Sequence, residues 1–172
     1  MSVTQDIIRT YRAPRAVVRR HLDAGQREDR AIAILMAACV VIFVAQWPLL
    51  SRLSYQDLDV PLQARLGAAL LVWVFMMPLV FYGLAAVSRI VAMAFGGRGT
   101  WYSARISLFW TLLAVSPLML FRGLVAGFIG PSPALMIADF GVTAAFFVIW
   151  IQALRESEGA GHTQAGQNTP PK

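Results

Sequence analysis

Two charged residues stand where long apolar runs would exclude them, and chemistry has to be looked for there first. Asp139 is the one carboxylate inside the last apolar run, and Arg122 lies near the far end of the run before it. Ionisable groups at membrane depth mark ion or proton pathways, or pair with each other for structural reasons. The sequence places these two at similar depth on either side of a short connection, so an intramembrane pair is expected. One acid and one arginine do not lay out a relay path.

The remaining reactive residue types form no constellation. His21 and His162 lie in the two polar ends with no supporting Cys or acid pattern, which predicts no metal site. Ser51, Ser54, Ser103, Ser107 and Ser116 have no histidine partner on the appropriate side of a membrane, so nucleophilic catalysis has no base. Gly96–Gly99 with Arg98 could cradle an anion on backbone N–H groups. It lacks the Lys-Ser/Thr pair of a nucleotide loop and follows no buried strand, so a lipid headgroup suits it and a nucleotide does not. Trp101, Tyr102 and Trp110 are expected to form an aromatic belt at the interface. No cofactor is expected, and no small-molecule substrate is indicated.

The elements that carry these residues are set by hydropathy. The chain has 172 residues, 58% hydrophobic and 14% charged, with a net charge of +6. A soluble domain carries about 25% charged residues, so lipid is the expected solvent. Apart from Arg122 the cations sit outside the apolar runs, and no nucleic acid is implied. Four spans are predicted, at about 31–50, 66–87, 106–128 and 134–154. The first, AIAILMAACVVIFVAQWPLL, would cross about 30 Å of hydrocarbon as a helix. Trp47 and Pro48 are expected to end it, followed by a polar loop over 51–65. Pro78 and Pro117 predict kinks in the second and third spans. Gly123 and Gly127, and then Gly141 and Ala145, are small pairs at the spacing that lets helix backbones meet. The lone Cys39 makes no internal disulfide. The fold class is therefore an all-α integral membrane protein, a four-helix transmembrane bundle with an N-terminal amphipathic lead.

That lead, residues 1–30, reads as two short helices over 3–11 and 14–22. Ile7, Ile8 and Tyr11 lie on one face of the first, and Val17, Val18 and Leu22 on one face of the second. Arg9, Arg12, Arg15, Arg19 and Arg20 fill the opposite faces. A basic amphipathic helix of this kind lies in the headgroup layer, and the same arginines also hold the segment on one side. Residues 155–172, polar and rich in Gly, Gln and Pro, read as a disordered tail. With four spans, the lead, the 88–105 turn and the tail share a side carrying twelve cations, against three on the other. The positive-inside rule then puts both termini in the cytoplasm. Fourteen of the fifteen cations are arginine, which with the many alanines looks like the codon bias of a GC-rich bacterium, and the expected seat is the plasma (inner) membrane of such a cell. Arg15, Arg19, Arg20 and Arg98 are the expected contacts to anionic lipid headgroups.

The order of these features resembles a known family. A lead of the form APRAVVRRHL, two spans, the turn FGGRGTW and an apolar helix interrupted by Ser116-Pro117 look like a bacterial member of the Yip-one domain family, the Ypt/Rab-interacting membrane proteins. The resemblance covers Ile7 to Leu154. It implies a helical bundle without a cofactor that works through lipids or other integral membrane proteins, and no enzyme. The acidic N-terminal region with an Asp-Leu-Tyr-Gly-Pro-type motif and the usual fifth span are missing, so Rab binding does not carry over. The rival expectation is a small transporter or channel component using Asp139, Arg122 and the two proline-bearing helices.

Overall fold

The computed structural model describes residues 3–23, 25, 27–94, 96, 97 and 99–167, and among these the regular structure is entirely helical. Two short helices, α1 (Val3–Thr10) and α2 (Pro14–Asp23), precede the spans. Then come α3 (Glu28–Gln56), α4 (Leu62–Leu70), a wide π-helical turn over Leu71–Met76, α5 (Met77–Ala94), α6 (Trp101–Phe128) and α7 (Pro133–Gln167). Helix α4, the π turn and α5 run on as one span, and four helices are long and apolar enough to cross a membrane. The chain is a membrane-integral four-helix bundle.

Helix α6 is the axis of the bundle. Every residue from Ile106 to Ser116 is buried, and the serine and threonine hydroxyls find acceptors within the helix itself. The Ser107 and Thr111 hydroxyls each donate to the carbonyl four residues back at 2.7 Å, and Ser116 donates to Leu113 at 2.8 Å. Such back-bonding lets hydroxyls sit in a medium that offers no water. The helix starts on a capping box. The Thr100 hydroxyl accepts from the Ser103 N–H at 3.0 Å, and the Ser103 hydroxyl accepts from the Thr100 N–H at 2.9 Å. A cap of this kind contributes about 1 kcal/mol.

Helices α3 and α6 run parallel. At one end Arg105 pairs with Glu28 at 2.7 Å. At the other, the Arg52 guanidinium donates to the carbonyls of Gly127 and Phe128 at 3.2 and 3.4 Å. A cation on the last carbonyls of α6 offsets the negative end of its dipole. Between them the Gly123/Gly127 pair faces Ala45 and Pro48 so closely that a Cβ on either glycine would overlap α3. Lipid gives apolar helices no hydrophobic reason to associate, so contact through small residues is what joins them. The second small pair does no such thing, since Gly141 has open space around it.

Several span ends differ from the sequence reading. Pro48 does not end the first span; α3 continues through it to Gln56, and the loop shrinks to residues 57–61. Pro48 packs on Gly127, and that contact holds the helix together past its missing hydrogen bond. Pro78 is preceded by the π turn, in which the Met77 N–H bonds to the Val72 carbonyl five residues back. The widened turn relieves the clash of a proline ring with the preceding turn. The second span runs on to Ala94, and the third passes Arg122 without a break. Helix α7 continues to Gln167 where an unstructured tail was expected from residue 155; residues 168–172 lie outside the described residues. The added turns are held where they begin, since Ala153 and Ser157 are buried and Glu156 pairs with Arg19 of α2 at 3.7 Å.

Candidate functional site: a basic helical hairpin docked on the bundle

The amphipathic lead is not a loose surface segment. Helices α1 and α2 fold into a hairpin that packs on α6 and α7 at the end of the bundle carrying the starts of α3 and α6. Val17 and Val18 are buried in the same core as Phe109 and Trp110. Hydrogen bonds fix the seat. The Trp110 Nε1–H donates to the Thr10 hydroxyl at 3.0 Å, and that hydroxyl donates to the Asp6 carbonyl at 2.7 Å. The Tyr11 hydroxyl donates to the Ala114 carbonyl at 2.6 Å.

Trp110 is therefore not part of an interfacial belt. It is 1% exposed, and Tyr102 is buried as well, its hydroxyl donating to the Arg27 carbonyl at 3.4 Å; Trp101 alone of the three is half-exposed. The sequence could not show this, because the partner that buries Trp110 lies a hundred residues earlier.

The inner side of the hairpin carries two buried polar side chains, His21 of α2 and Asp6 of α1. His21 is 3% exposed and its ring lies against the Trp110 indole, centroids 4.3 Å apart. Asp6 is 6% exposed and pairs with Arg20. Both imidazole nitrogens and the second Asp6 carboxylate oxygen are buried without a hydrogen-bond partner among the described residues. Burial, then the Arg30 and Arg20 guanidiniums, lower the His21 pKa to about 4, with the Asp6 carboxylate pulling the other way. The imidazole is thus neutral at neutral pH. A signal was present in the helical spacing, which puts His21 four residues beyond Val17. Among the described residues no three His, Cys, Asp or Glu side chains gather.

The arginines divide. Arg15 is exposed on α2; Arg19 holds Glu156, and Arg20 holds Asp6. Arg98 lies outside the described residues. Arg9 and Arg12, which the sequence reading left among the general positive charge, share one side of the hairpin with Arg20.

At the other end, Arg122 and Asp139 do meet, Nε to Oδ1 at 2.5 Å, and tie α6 to α7. A groove of about 450 Å³ runs between these helices. Its lining is apolar, with Leu118, Phe121, Val125 and Ile137 among it, and offers an ion no ligand. Of the serines weighed as nucleophiles, Ser54 donates to the Ser51 carbonyl, and Ser103, Ser107 and Ser116 donate to carbonyls of their own helix start or helix.

Fold and site together define a four-span α-helical membrane protein with a basic hairpin built into one end. No protein-family model, curated protein or solved structure matches the chain.

Proposed function

We propose that this is a non-enzymatic, Yip-like membrane protein that acts by contact with lipids or with other integral membrane proteins. Its seat in this reading is the plasma (inner) membrane of a bacterium, with both termini in the cytoplasm. The observation that carries it is the hairpin. Its Val17, Val18, Thr10 and Tyr11 are committed to the bundle and Arg19 reaches Glu156 of α7, while Arg9, Arg12 and Arg15 are exposed on the hairpin. A docked, rigid and basic surface at the membrane boundary is built for recognition and supplies no reacting groups. The arginine imbalance between the two sides supports the orientation.

A transport role finds less support. Asp139 is engaged by Arg122, and the groove beside them is apolar. An acid held by an arginine in apolar surroundings reads as a structural tie.

The deciding experiment is extraction of the tagged full-length chain in mild detergent or nanodiscs, followed by mass spectrometry of what co-purifies. A stoichiometric membrane-protein partner or retained anionic lipid is the expected result. Recovery of the chain with neither, together with proton- or ion-dependent flux in reconstituted vesicles that Asp139→Asn abolishes, would replace this reading with a transporter.

A further inference from the structure

At the end of the bundle away from the hairpin, α3 and α6 leave a groove of about 670 Å³ between them. Trp47, Ser51 and Tyr55, a turn apart along α3, line one wall, and Leu124 and Phe128, a turn apart along α6, line the other. Arg52 stands among them, and no carboxylate lines the groove. Trp47, Tyr55 and Phe128 are exposed, so the groove is open along one side.

The position of Arg52 is fixed and its charge is left over. Nη1 donates to the Gly127 and Phe128 carbonyls at 3.2 and 3.4 Å. Gly130 follows at a φ of +81°, and a Cβ on it would stand 2.5 Å from the guanidinium carbon. A glycine at this turn is what leaves room for the group. The carbonyl end of α6 offsets about half a unit of its charge. No carboxylate among the described residues pairs with it, since Asp57, the next acid along the chain, is held by Arg65. Nε is buried without an acceptor. The Ser51 and Tyr55 hydroxyls make no hydrogen bond among the described residues.

A fixed guanidinium beside apolar and aromatic walls recognises an anion that carries an apolar body. Arg52 is the one charged residue of the lining, which suits a monoanion, and its planar fork suits a carboxylate. The volume falls in the range of about 300–1,000 Å³ typical of sites for drug-sized ligands, a size that a single-chain amphiphile matches and a diacyl lipid exceeds. The geometry points to a binding site for a long-chain carboxylate. Its head rests on Arg52 with the Ser51 and Tyr55 hydroxyls beside it, and its chain lies along Trp47, Leu124 and Phe128. This goes beyond the contact role of the hairpin, which sits at the other end of α3 and α6.

The test uses the full-length chain in a nonionic detergent, with dibromostearate as the probe and tryptophan fluorescence as the readout. Bromine quenches an indole that it touches, and of the five tryptophans Trp47 lines the groove. At a pH where the carboxyl is ionised, quenching should saturate. The acid should bind about 10- to 100-fold more tightly than its methyl ester, the worth of hydrogen bonds to a charged group. Trp47→Phe should lose the saturable quenching. Arg52→Lys should keep part of the preference for the acid, and Arg52→Gln none. Equal affinity of acid and ester in the parent chain overturns the proposal without recourse to any variant, as does saturable quenching that persists in Trp47→Phe. Displacement of the probe by phosphatidylglycerol at a lower concentration than by oleate would put a phospholipid in the groove and overturn it equally. None of these results bears on what co-purifies through the hairpin, so the site and the contact role fail separately.

Discussion

A methyl group added at Gly123 should weaken the bundle more than one added at any open helical glycine. Its Cβ would stand 1.9 Å from the Ala45 carbonyl oxygen and 2.9 Å from the carbonyl carbon. Ordinary contact begins near 3.4 Å, so α3 and α6 must part by about 1.5 Å at this level. The obstruction is backbone inside a helix and cannot turn aside as a side chain would. Overpacking of this kind costs about 1–3 kcal/mol, and the upper half applies where backbone must move. Parting the helices would also draw the Arg52 guanidinium, one turn beyond, off its carbonyls on Gly127 and Phe128. Gly83→Ala is the internal control: nothing lies within 4 Å of its Cβ, and alanine is the better helix former by about 1 kcal/mol. Unfolding in detergent titrated with SDS, followed by helical circular dichroism, should place Gly123→Ala about 2–3 kcal/mol below the parent and Gly83→Ala at or above it. Ala45→Gly should not rescue Gly123→Ala, because the obstructing atoms are main chain. Equal stability of Gly123→Ala and the parent, within about 0.5 kcal/mol, would refute the close crossing.

Three further outcomes are expected. Burial and neighbouring guanidiniums depress the folded His21 pKa to about 4, below the ordinary value near 6.5. Its neutral form is the one the seat accepts. Docking is therefore complete above about pH 6.5 and weakens as pH falls toward 4, by up to about 1.4 kcal/mol per pH unit. Limited proteolysis of the lead against pH measures this, and His21→Phe should flatten the profile. Thr10→Val strands the buried Trp110 N–H and should loosen the hairpin by about 1–3 kcal/mol. Tyr11→Phe removes a single bond and should loosen it by about 1 kcal/mol. The same proteolysis ranks the two, and equal cleavage of both variants and the parent would contradict the seat. A double-mutant cycle on Arg122→Gln and Asp139→Asn should return a coupling of about 0.6–2 kcal/mol, read from SDS unfolding. Zero coupling would mean the pair does not hold α6 to α7.

Much of the architecture was legible because bilayer thickness sets a length that apolar runs either meet or do not. The four spans could be counted from the runs beginning near Ala31, Leu66, Ile106 and Ala134, and four helices of sufficient length stand there. The periodicity of Val17, Val18 and Leu22 announced α2 for the same kind of reason. Span ends were less legible. Pro48 looked like a terminus because proline breaks helices in water; in a bundle its packing on Gly127 keeps α3 going. The tail from Arg155 looked unstructured because its residues lack apolar periodicity, yet Arg19 meets Glu156 from another helix. The Arg122–Asp139 pair was readable from depth and a short connection. The choice of Gly123/Gly127 over Gly141/Ala145 was not, since both have the same spacing.

Local sequence thus determined what is local: which segments cross, where the positive charge lies, and that the lead would form two amphipathic helices. Tertiary structure decided what those helices face. Hydropathy says only that Val17 and Val18 leave water, and a headgroup layer satisfies that as well as a protein core does. The choice fell to the bundle because Trp110 and Ala114 offer a donor and an acceptor that Thr10 and Tyr11 complete, pairings about a hundred residues apart that no periodicity encodes. That seat buried His21 and Asp6, gathered Arg9, Arg12 and Arg20 around one hollow, and turned a basic tail into a shaped surface.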